Sequence, residues 1–347
     1  MTHGIFGRVS GISLAAALLA GAAANTANAK TTIIFNSFAP PKFVINQGMI
    51  DVWAKEIARV TEGRIKVRIP AKSLAPPQQQ WEMVTQGVAD ATYIFNGFAR
   101  KRLLLPQIGH LPFGTTSARA QGVAMWRAHK KFFEKANEHK GVAFLGYFGS
   151  PAAHVFSMTD KPIRAAADLK GVKTWSLPGD QARALAKLGA VIVPGPAVRS
   201  YAIISKGIVK AYGGQNHDSI YAFNVAQFAK SATHIDGGMG SAAFSVFMNQ
   251  KKWDGIPKRD QQLITSVSGE KLAEYGAVWD KRSDASLARM KKEGKITHTL
   301  ASPAFMAELK KAWKFLDDEW IANAAKRGVD GPAALKFYRQ LTRQLVK

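Results

Sequence analysis

Cysteine is absent from the 347-residue sequence, and acidic side chains are scarce beside basic ones. The absence of cysteine excludes thiolate metal sites, disulfide bonds and cysteine nucleophiles, and it leaves the cellular compartment open. The sequence also lacks the Gly-x-Ser-x-Gly, Walker and His-Glu-x-x-His signatures of hydrolases, nucleotide-binding enzymes and zinc peptidases. We therefore predict that the protein is not an enzyme and carries no cofactor.

The charge balance is strongly basic, with 48 Lys and Arg residues against 24 Asp and Glu residues. Such a charge suits an anionic partner, for example nucleic acid, a membrane surface or an acidic ligand. The basic residues are interleaved with acidic ones along helical segments, however, and the longest purely basic run is Arg100–Arg102. No RNA-binding motif or zinc-finger spacing occurs. We predict that the chain does not bind nucleic acid.

The first 29 residues have the three-part layout of a secretory signal peptide. Arg8 is their only charged side chain, an apolar stretch covers residues 12–24, and Ala27-Asn28-Ala29 precedes Lys30. An apolar stretch of about 13 residues is too short for a hydrocarbon core that needs about 20. We predict cleavage after Ala29 and export to the periplasm, with no later segment apolar enough to span a bilayer.

Strand and helix patterns alternate after residue 30. Apolar residues from Ile50 to Val60 recur with helical spacing between strand patterns at 31–35 and 65–69, and Gly63 is the predicted end of that helix. The order β-α-β-α-β favours a mainly parallel sheet covered by helices. A second unit of similar layout starts near residue 141, and long helical patterns complete the chain. The sequence thus predicts two α/β lobes.

Two such lobes predict a cleft between them, because ligands of open α/β sheets bind beyond the carboxyl ends of the strands. The residues that follow the predicted strands are Asn36–Pro40, Phe95-Asn96, Phe148–Ala152, Trp175-Ser176 and Tyr212–His217. No two histidines stand at a spacing typical of metal ligands, so we predict no metal site.

Four stretches together resemble the solute-binding subunit of TRAP (tripartite ATP-independent periplasmic) transporters, the DctP-like family. They are residues 49–93, 105–114, 167–196 and 247–264. The resemblance implies a two-lobed periplasmic-binding-protein-like fold of type II, with mixed, mainly parallel sheets and a long C-terminal helix that bridges the lobes. It implies a small solute, often an organic acid, between the lobes.

The resemblance also implies a division of the chain. Residues 1–29 are the signal peptide, residues 30–153 and 242–281 form lobe I, and residues 154–241 and 282–347 form lobe II. The Gly-rich stretch near Gly240 is interpreted as a crossing between the lobes rather than a dinucleotide fingerprint.

One position departs from the family pattern. In most of the family, an arginine two residues after the lysine of the Gly-Val-Lys stretch pairs with the solute carboxylate, and here Trp175 occupies that position. Arginine offers a bidentate fork, whereas tryptophan offers apolar area, one N–H donor and a ring face. We predict that Trp175 lines the pocket, the alternative being that it fills the lobe core. Arg199 and the Arg100–Arg102 cluster are candidates for the missing carboxylate clamp.

Further solute contacts are carried over from the family by position. Phe38 and Asn96 occupy strand ends that line the cleft in relatives, and Gln78 opens the next helix. Tyr212 ends a predicted strand, and Asn216 falls where relatives place a pocket residue. Arg199 stands where the family usually has an acidic residue.

We therefore predict a receptor that closes on a small organic solute and delivers it to the membrane subunits of a TRAP transporter. A monomer is expected rather than a dimer. Two alternatives stay open at this point: a receptor of the tricarboxylate or ABC transporter type, and an exported enzyme on the same scaffold.

Overall fold

The computed structural model describes residues 1–4 and 30–346. Most of the predicted signal peptide, including its cleavage site after Ala29, lies outside the described residues. The β-strands are β1 (Thr31–Asn36), β2 (Ile65–Arg68), β3 (Ala91–Phe95), β4 (Val142–Gly149), β5 (His154–Ser157), β6 (Lys173–Ser176), β7 (Val191–Pro194), β8 (Ala211–Gln215), β9 (Ser231–His234), β10 (Ala243–Asn249) and β11 (Thr297–Leu300).

Helices cover both sheets and form most of the C-terminal third. They are α1 (Asp51–Val60), α2 (Gln80–Thr85), α3 (Ala118–Ala128), α4 (Asp180–Lys187), α5 (Ser200–Ile204), α6 (His217–Ala222), α7 (Gln250–Asp254), α8 (Lys258–Ser266), α9 (Glu270–Glu274), α10 (Gly276–Glu293), α11 (Pro303–Ala325) and α12 (Gly331–Val346). Among the described residues, each helix is too short or too polar to cross a bilayer.

The first sheet has the strand order β2-β1-β3-β10-β4. β1 pairs with β2 and β3 in parallel, as the β-α-β-α-β pattern predicts. β10 comes from much later in the chain and runs antiparallel between β3 and β4. The chain therefore leaves this lobe after β4 and returns to it with β10.

The second sheet has the order β11-β9-β5-β8-β6-β7. Its parallel pairs are β6 with β7, β6 with β8, and β9 with β11, whereas β5 runs antiparallel between β8 and β9. Both sheets are mixed and flanked by helices, which confirms the predicted fold class. The two-lobe boundaries in residue numbers stay a prediction.

Two crossing segments lie side by side between the sheets. The amide of Ser150 donates to the carbonyl of Ala242 at 2.9 Å, and the amide of Ala153 donates to the carbonyl of Gly240 at 2.9 Å. Gly240 has a φ of +97°, and a Cβ there would lie 2.3 Å from the carbonyl oxygen of His110. Only glycine fits this position, because the backbone is left-handed and another chain segment touches it.

Helix α10 joins the two lobes from behind. The Asp280 carboxylate accepts hydrogen bonds from the Ser117 hydroxyl at 2.7 Å and from the Ala118 amide at 2.6 Å, so it caps the first turn of α3. Two residues on, Arg282 forms an ion pair with Asp218 of α6, with 3.2 Å between Nε and Oδ1. This is the bridging helix that the family resemblance implies.

Helix α11 contacts both lobes, whereas α12 packs mainly on the first lobe. Trp313 of α11 donates its indole N–H to the carbonyl of Ala184 in α4 at 2.9 Å, and Trp320 of the same helix donates to the carbonyl of Leu105 at 3.1 Å. Helix α12 packs on α3, and the Thr342 hydroxyl donates to the carbonyl of Gly114 at 2.9 Å. The prediction assigned all of 282–347 to lobe II, whereas α12 lies against the helix of lobe I.

Candidate functional site

A cavity lies between the two lobes at the carboxyl ends of their strands. The space between its lining atoms amounts to about 570 Å³, counting the part that is open to solvent. Its lining residues are Phe38, Ala39, Phe43, Ile45, Phe95, Phe98, Ser150, Leu177, Pro196, Ala197, Val198, Gly214, Gln215, Asn216, Ser219, Phe223, Ala242, Phe244 and Trp279. Both lobes and helix α10 contribute, so closure of the lobes encloses this space.

The lining is mostly apolar, and seven of its members are phenylalanine or tryptophan. The described lining residues include no charged side chain. Aromatic side chains offer a large apolar surface and ring faces on which a planar group stacks. The cavity is therefore suited to a solute with a flat apolar part, and it lacks a cation for an ionised group.

The aromatic walls are fixed by packing among themselves. The ring of Phe38 lies 4.7 Å from the ring of Tyr93, and Phe244 stacks on Phe148 at 4.6 Å. Trp279 meets Phe43 edge-on at 5.4 Å, which links α10 to the first lobe. Burial raises the pKa of Tyr93, so its hydroxyl stays neutral. Rigid walls of this kind hold their shape before the solute enters.

Polar groups at one side of the cavity come from the second lobe. Asn216 caps α6, because its side-chain oxygen accepts the amide of Ser219 at 2.9 Å. The neighbouring Gln215 is buried, and its amide nitrogen donates a 3.3 Å hydrogen bond to Ser200. The Gln215 side-chain oxygen has no partner among the described residues. Gln215 therefore keeps hydrogen-bonding capacity, whereas the Asn216 oxygen is engaged by the backbone.

The predicted basic substitutes for the family arginine lie elsewhere. Arg100 forms an ion pair with Asp180 at 3.0 Å, and the guanidinium of Arg102 lies 4.5 Å from the centre of the Trp81 ring. Arg199 is exposed and does not line the cavity. None of these three side chains is placed as a carboxylate clamp.

Trp175 lies on β6, next to the edge strand β7 of the second sheet, and is fully buried. It pairs with Val193 on one side and with Tyr212 on the other, and it does not line the cavity. Its indole nitrogen has no hydrogen-bond partner among the described residues. The indole packs closely on Gly195, since a Cβ added to that glycine would lie 3.1 Å from the indole nitrogen. The structure thus places this indole in the lobe core, which was the alternative interpretation. Its contact with solute stays a prediction.

The other predicted site residues divide into two groups. Phe38 and Asn216 line the cavity. Tyr212 is buried against Phe156, and its hydroxyl donates to the carbonyl of Val225 at 3.1 Å, so it serves the core. The Asn96 side chain is also buried and accepts a hydrogen bond from Ser245 at 2.7 Å.

Gln78 is exposed at the start of its helical segment and does not line the cavity. Gln80 is the buried glutamine of that segment. Its side-chain oxygen accepts hydrogen bonds from Asn36 at 2.8 Å and from Thr92 at 2.6 Å, which satisfies a polar network below β1. Gln78 thus lies on the outer side of this short turn, and its contact with solute stays a prediction.

Sequence reasoning missed most of the cavity wall. Phe43, Phe98, Phe223, Phe244 and Trp279 come from loops, a strand and the bridging helix, and they are not adjacent in the sequence. Among these five residues, only Phe244 could have been identified from the sequence, because it lies near the start of a predicted strand that returns to the first lobe. The rest meet through tertiary packing.

Three histidines that the sequence presented as isolated also lie together, outside this cavity. They are His154, His217 and His234, and their nearest ring nitrogens all lie within 4.8 Å of one another. Their spacing along the chain did not indicate this group, and the expectation of no metal site rested on that spacing alone.

Comparison with known families gives a consistent result. The family model described as "Bacterial extracellular solute-binding protein, family 7" matches residues 35–323. The protein named "Outer membrane transporter protein TsaT" from Comamonas testosteroni is 35% identical over 324 residues, which cover 93% of this chain and 95% of that protein.

Similar solved structures are TRAP periplasmic solute-binding proteins. One from Bordetella bronchiseptica, with bound (R)-mandelate and (S)-mandelate, is 28% identical, covers 91% of this chain and 99% of its own, and has a TM-score of 0.87. Another comes from an unidentified marine microbe and is described as specific for aromatic acid ligands, in complex with 3-hydroxybenzoate. It is 26% identical, covers 92% of this chain and 99% of its own, and has a TM-score of 0.82.

These matches agree with the two mixed sheets, the paired crossing segments, the bridging helix and the cavity between the lobes. They favour a receptor of the TRAP type over the tricarboxylate and ABC alternatives. The chain belongs to the bacterial extracellular solute-binding proteins of family 7, and it is a solute-binding receptor of a TRAP transporter.

Proposed function

We propose that the solute is a small organic acid built on an aromatic ring. The observation that carries this proposal is the aromatic lining of the interlobe cavity, with Phe38 and Phe95 from the first lobe, Phe223 from the second and Trp279 from the bridging helix. Stacking and apolar burial of one ring stabilise binding by roughly 1–3 kcal/mol for each well-packed contact. The mandelate and 3-hydroxybenzoate found in two related structures support the same chemical class.

The acid group of the solute is held by neutral donors in this proposal. The family arginine is replaced by Trp175, and the described lining residues are uncharged. Gln215 has an amide nitrogen with one long hydrogen bond, and Ser219 is a second neutral polar residue of the lining. The Ser150 hydroxyl already donates to the carbonyl of Pro151, so it is not counted among these donors. Hydrogen bonds to a charged group are worth more than those between neutral groups, so a few neutral donors suffice to orient a carboxylate.

Binding works by closure of the lobes. The solute contacts both lobes only in the closed form, so it shifts the population toward that form by its differential affinity. The closed receptor then delivers the solute to the membrane subunits of the transporter. We include in the proposal that the protein releases the solute unchanged, acts as a monomer, and is exported with cleavage after Ala29.

A ligand panel tests the solute class. Isothermal titration should give micromolar or tighter binding for mandelate, benzoate or 3-hydroxybenzoate. Cyclohexanecarboxylate, which keeps the acid but has a saturated ring in place of the flat aromatic one, and benzyl alcohol, which keeps the aromatic ring but loses the acid, should each bind at least 10-fold more weakly. Tighter binding of pyroglutamate or galacturonate than of every aromatic acid would refute the proposal.

A charge-placement variant tests the position of the acid group. Gln215→Glu puts a carboxylate beside the solute and should weaken the binding of an aromatic acid by more than 10-fold through like-charge repulsion in a dry site. Gln78→Glu makes the same change on the exposed surface and should leave affinity unaltered. If both variants bind equally well, the acid group lies elsewhere.

Mass spectrometry tests the remaining parts. A compound released from freshly purified protein should have an aromatic ring and an acid group, and it should be recovered unchanged after long incubation. The intact mass of the periplasmic protein should correspond to a chain that begins at Lys30. Light scattering should give the mass of one chain.

A further inference from the structure

His154, His217 and His234 form a compact group behind the solute cavity. The nearest ring nitrogens of the three side chains all lie within 4.8 Å of one another. The ring centres are 4.9 Å apart for His154 and His217, and 5.1 Å apart for each of the two pairs that include His234. Three imidazoles that bind one tetrahedral ion at about 2.0–2.1 Å hold their ring centres about 5 Å apart. The group has the dimensions of such a site without a large rearrangement.

The fold brings these residues together from two neighbouring strands and the helix that follows a third. His154 begins β5, His234 ends β9, and His217 begins α6, two residues after the end of β8. Because β5 lies between β9 and β8 and runs antiparallel to both, the start of β5 meets the ends of its two neighbours. Ligands on two hydrogen-bonded strands and on the first turn of the helix after a third strand are held on a rigid frame, which favours metal binding over loose surface attraction.

The hydrogen bonds around the rings leave room for an ion. Nε2 of His234 lies 2.9 Å from Nδ1 of His298, and the tautomers of the two rings decide which nitrogen donates. With the proton on Nε2 of His234, this contact leaves Nδ1 of His234 available for an ion. Metal-binding histidines show this arrangement regularly, because the outer hydrogen bond fixes the tautomer and the ring orientation. Nε2 of His217 is buried and has no hydrogen-bond partner among the described residues.

His154 is the ligand that has to change a contact. Its Nδ1 accepts a 3.3 Å hydrogen bond from the amide of Ile235. A metal on Nε2 requires the proton on Nδ1, so this long bond is given up when the ion binds. The change leaves the Ile235 amide and the new Nδ1–H of His154 without an acceptor, and three metal–nitrogen bonds have to outweigh this loss.

An opening beside the group supplies access and a place for a fourth ligand. The three histidines share a cavity with Ser117, Asp280, Ser283 and Asp284, and the C-terminal residues Leu345 and Val346 lie at its edge. Asp280 is engaged in capping α3, so it is not free as a ligand. A water molecule or an exogenous anion in this cavity would complete a four-coordinate shell.

We propose that His154, His217 and His234 form a binding site for one divalent transition-metal ion of the Zn²⁺, Ni²⁺ or Cu²⁺ type, with His298 as the residue that orients His234. Imidazole ligands suit these ions, whereas Mg²⁺ and Ca²⁺ prefer oxygen ligands. The site is separate from the solute cavity but adjoins both crossing segments, because His154 follows residues 150–153 and His234 precedes residues 235–242. A bound ion would tie the ends of the two crossing segments together.

The test uses the full protein purified without a histidine tag and stripped with EDTA. Titration with Zn²⁺ and Ni²⁺ should show one site per chain with a Kd below about 10 µM, and Mg²⁺ at millimolar concentration should show none. His217→Gln should weaken Zn²⁺ binding at least 100-fold, and His298→Gln should weaken it about 10-fold through the lost orientation of His234. His139→Gln, at a buried histidine elsewhere, should leave binding unaltered.

Two readouts keep the result decisive if a variant folds poorly. The Co²⁺-loaded wild-type protein should absorb in the visible range with the intensity of a tetrahedral site, and X-ray absorption of the Zn²⁺ form should give three imidazole ligands. The absence of Zn²⁺, Ni²⁺ and Cu²⁺ binding below 100 µM would overturn the proposal. Binding that survives His217→Gln, or a zinc shell with fewer than three imidazoles, would overturn it as well.

Discussion

Arg100 of the first lobe and Asp180 of the second lobe form an ion pair across the cleft, with 3.0 Å between Nη2 and Oδ1. Arg100 follows the cavity residue Phe98, and Asp180 begins α4 shortly after the cavity residue Leu177. Asp180 is almost fully buried and is also contacted by Arg183 at 3.2 Å. The pair therefore joins the lobes beside the cavity, and it keeps Arg100 away from the solute.

Loss of this pair should loosen the closed form. The Arg100 side chain is 36% exposed, so solvent weakens the pair and its contribution is modest. We expect Arg100→Gln to weaken solute binding about 3- to 10-fold, which corresponds to roughly 0.6–1.4 kcal/mol. Small-angle scattering should show a larger mean radius without solute. The control variant Lys101→Gln removes a neighbouring charge and should change neither the solute affinity nor the mean radius. Equal effects of the two variants would contradict the role of the Arg100–Asp180 pair in joining the lobes.

The aromatic wall should contribute directly to affinity. Phe38 lines the cavity and is only half-buried, so its removal costs the fold little. Phe38→Ala should weaken the binding of an aromatic acid by about 10- to 100-fold, because a ring contact of roughly 1–3 kcal/mol is lost. Phe337→Ala, at a partly buried phenylalanine on α12, should leave affinity intact. Calorimetric titration measures both, and an unaltered Kd for Phe38→Ala would contradict the proposed wall.

Trp175 should matter for stability before it matters for binding. It is fully buried in the second sheet, so Trp175→Ala should lower the free energy of unfolding by about 3–5 kcal/mol. Trp175→Phe should lower it less, and it should leave solute affinity within about 3-fold, since the indole does not line the cavity. Trp253→Ala, at a partly buried tryptophan, provides the matched control for stability. A large affinity loss in a stable Trp175→Phe protein would instead place the indole in contact with solute.

Stability should fall in acid through His110. Burial lowers the pKa of this side chain from its ordinary 6.5 to about 4, so the folded state binds fewer protons than the unfolded state between these values. The contribution is complete above about pH 6.5 and is lost as the pH falls toward 4. Between pH 7 and pH 5 the loss is roughly 2 kcal/mol. Urea unfolding measures the free energy of unfolding at pH 7 and at pH 5. Its decrease between the two pH values should be smaller by that amount in His110→Gln than in the wild-type protein. An equal decrease in both proteins would contradict the assignment to His110.

Local patterns in the sequence predicted most of the α/β architecture. The helix that ends near Gly63 is present, with Gly63 in the left-handed region at a φ of +77°. One of the long C-terminal helical patterns, which runs from Lys258 to Lys292 in the sequence, is divided into α8, α9 and α10. The chain turns at Gly269 between α8 and α9, and the second break falls at Tyr275. Periodicity reports burial on one face and therefore identifies long elements well, but it does not show where packing breaks them.

Patterns of this kind could not identify the short buried strands. β5 and β9 have four residues each, and nearly all of these residues are buried, so no alternation between polar and apolar positions marks them. Each of the two strands carries one of the clustered histidines, and His154 and His234 are 80 positions apart in the sequence. The histidine group was therefore invisible until the sheet order was known.

The amino-acid sequence by itself determined the two α/β units, the basic charge and the glycine turns, because these depend on residue type and local spacing. The resemblance to the family added that Trp175 stands where an arginine is usual. Only the tertiary structure decided that Trp175 packs inside its lobe while Phe43, Phe223 and Trp279 enclose the cavity. The physical reason is that a cavity wall is formed by side chains brought together through sheet order and lobe closure. Those contacts join residues far apart in the chain, and no local pattern encodes them.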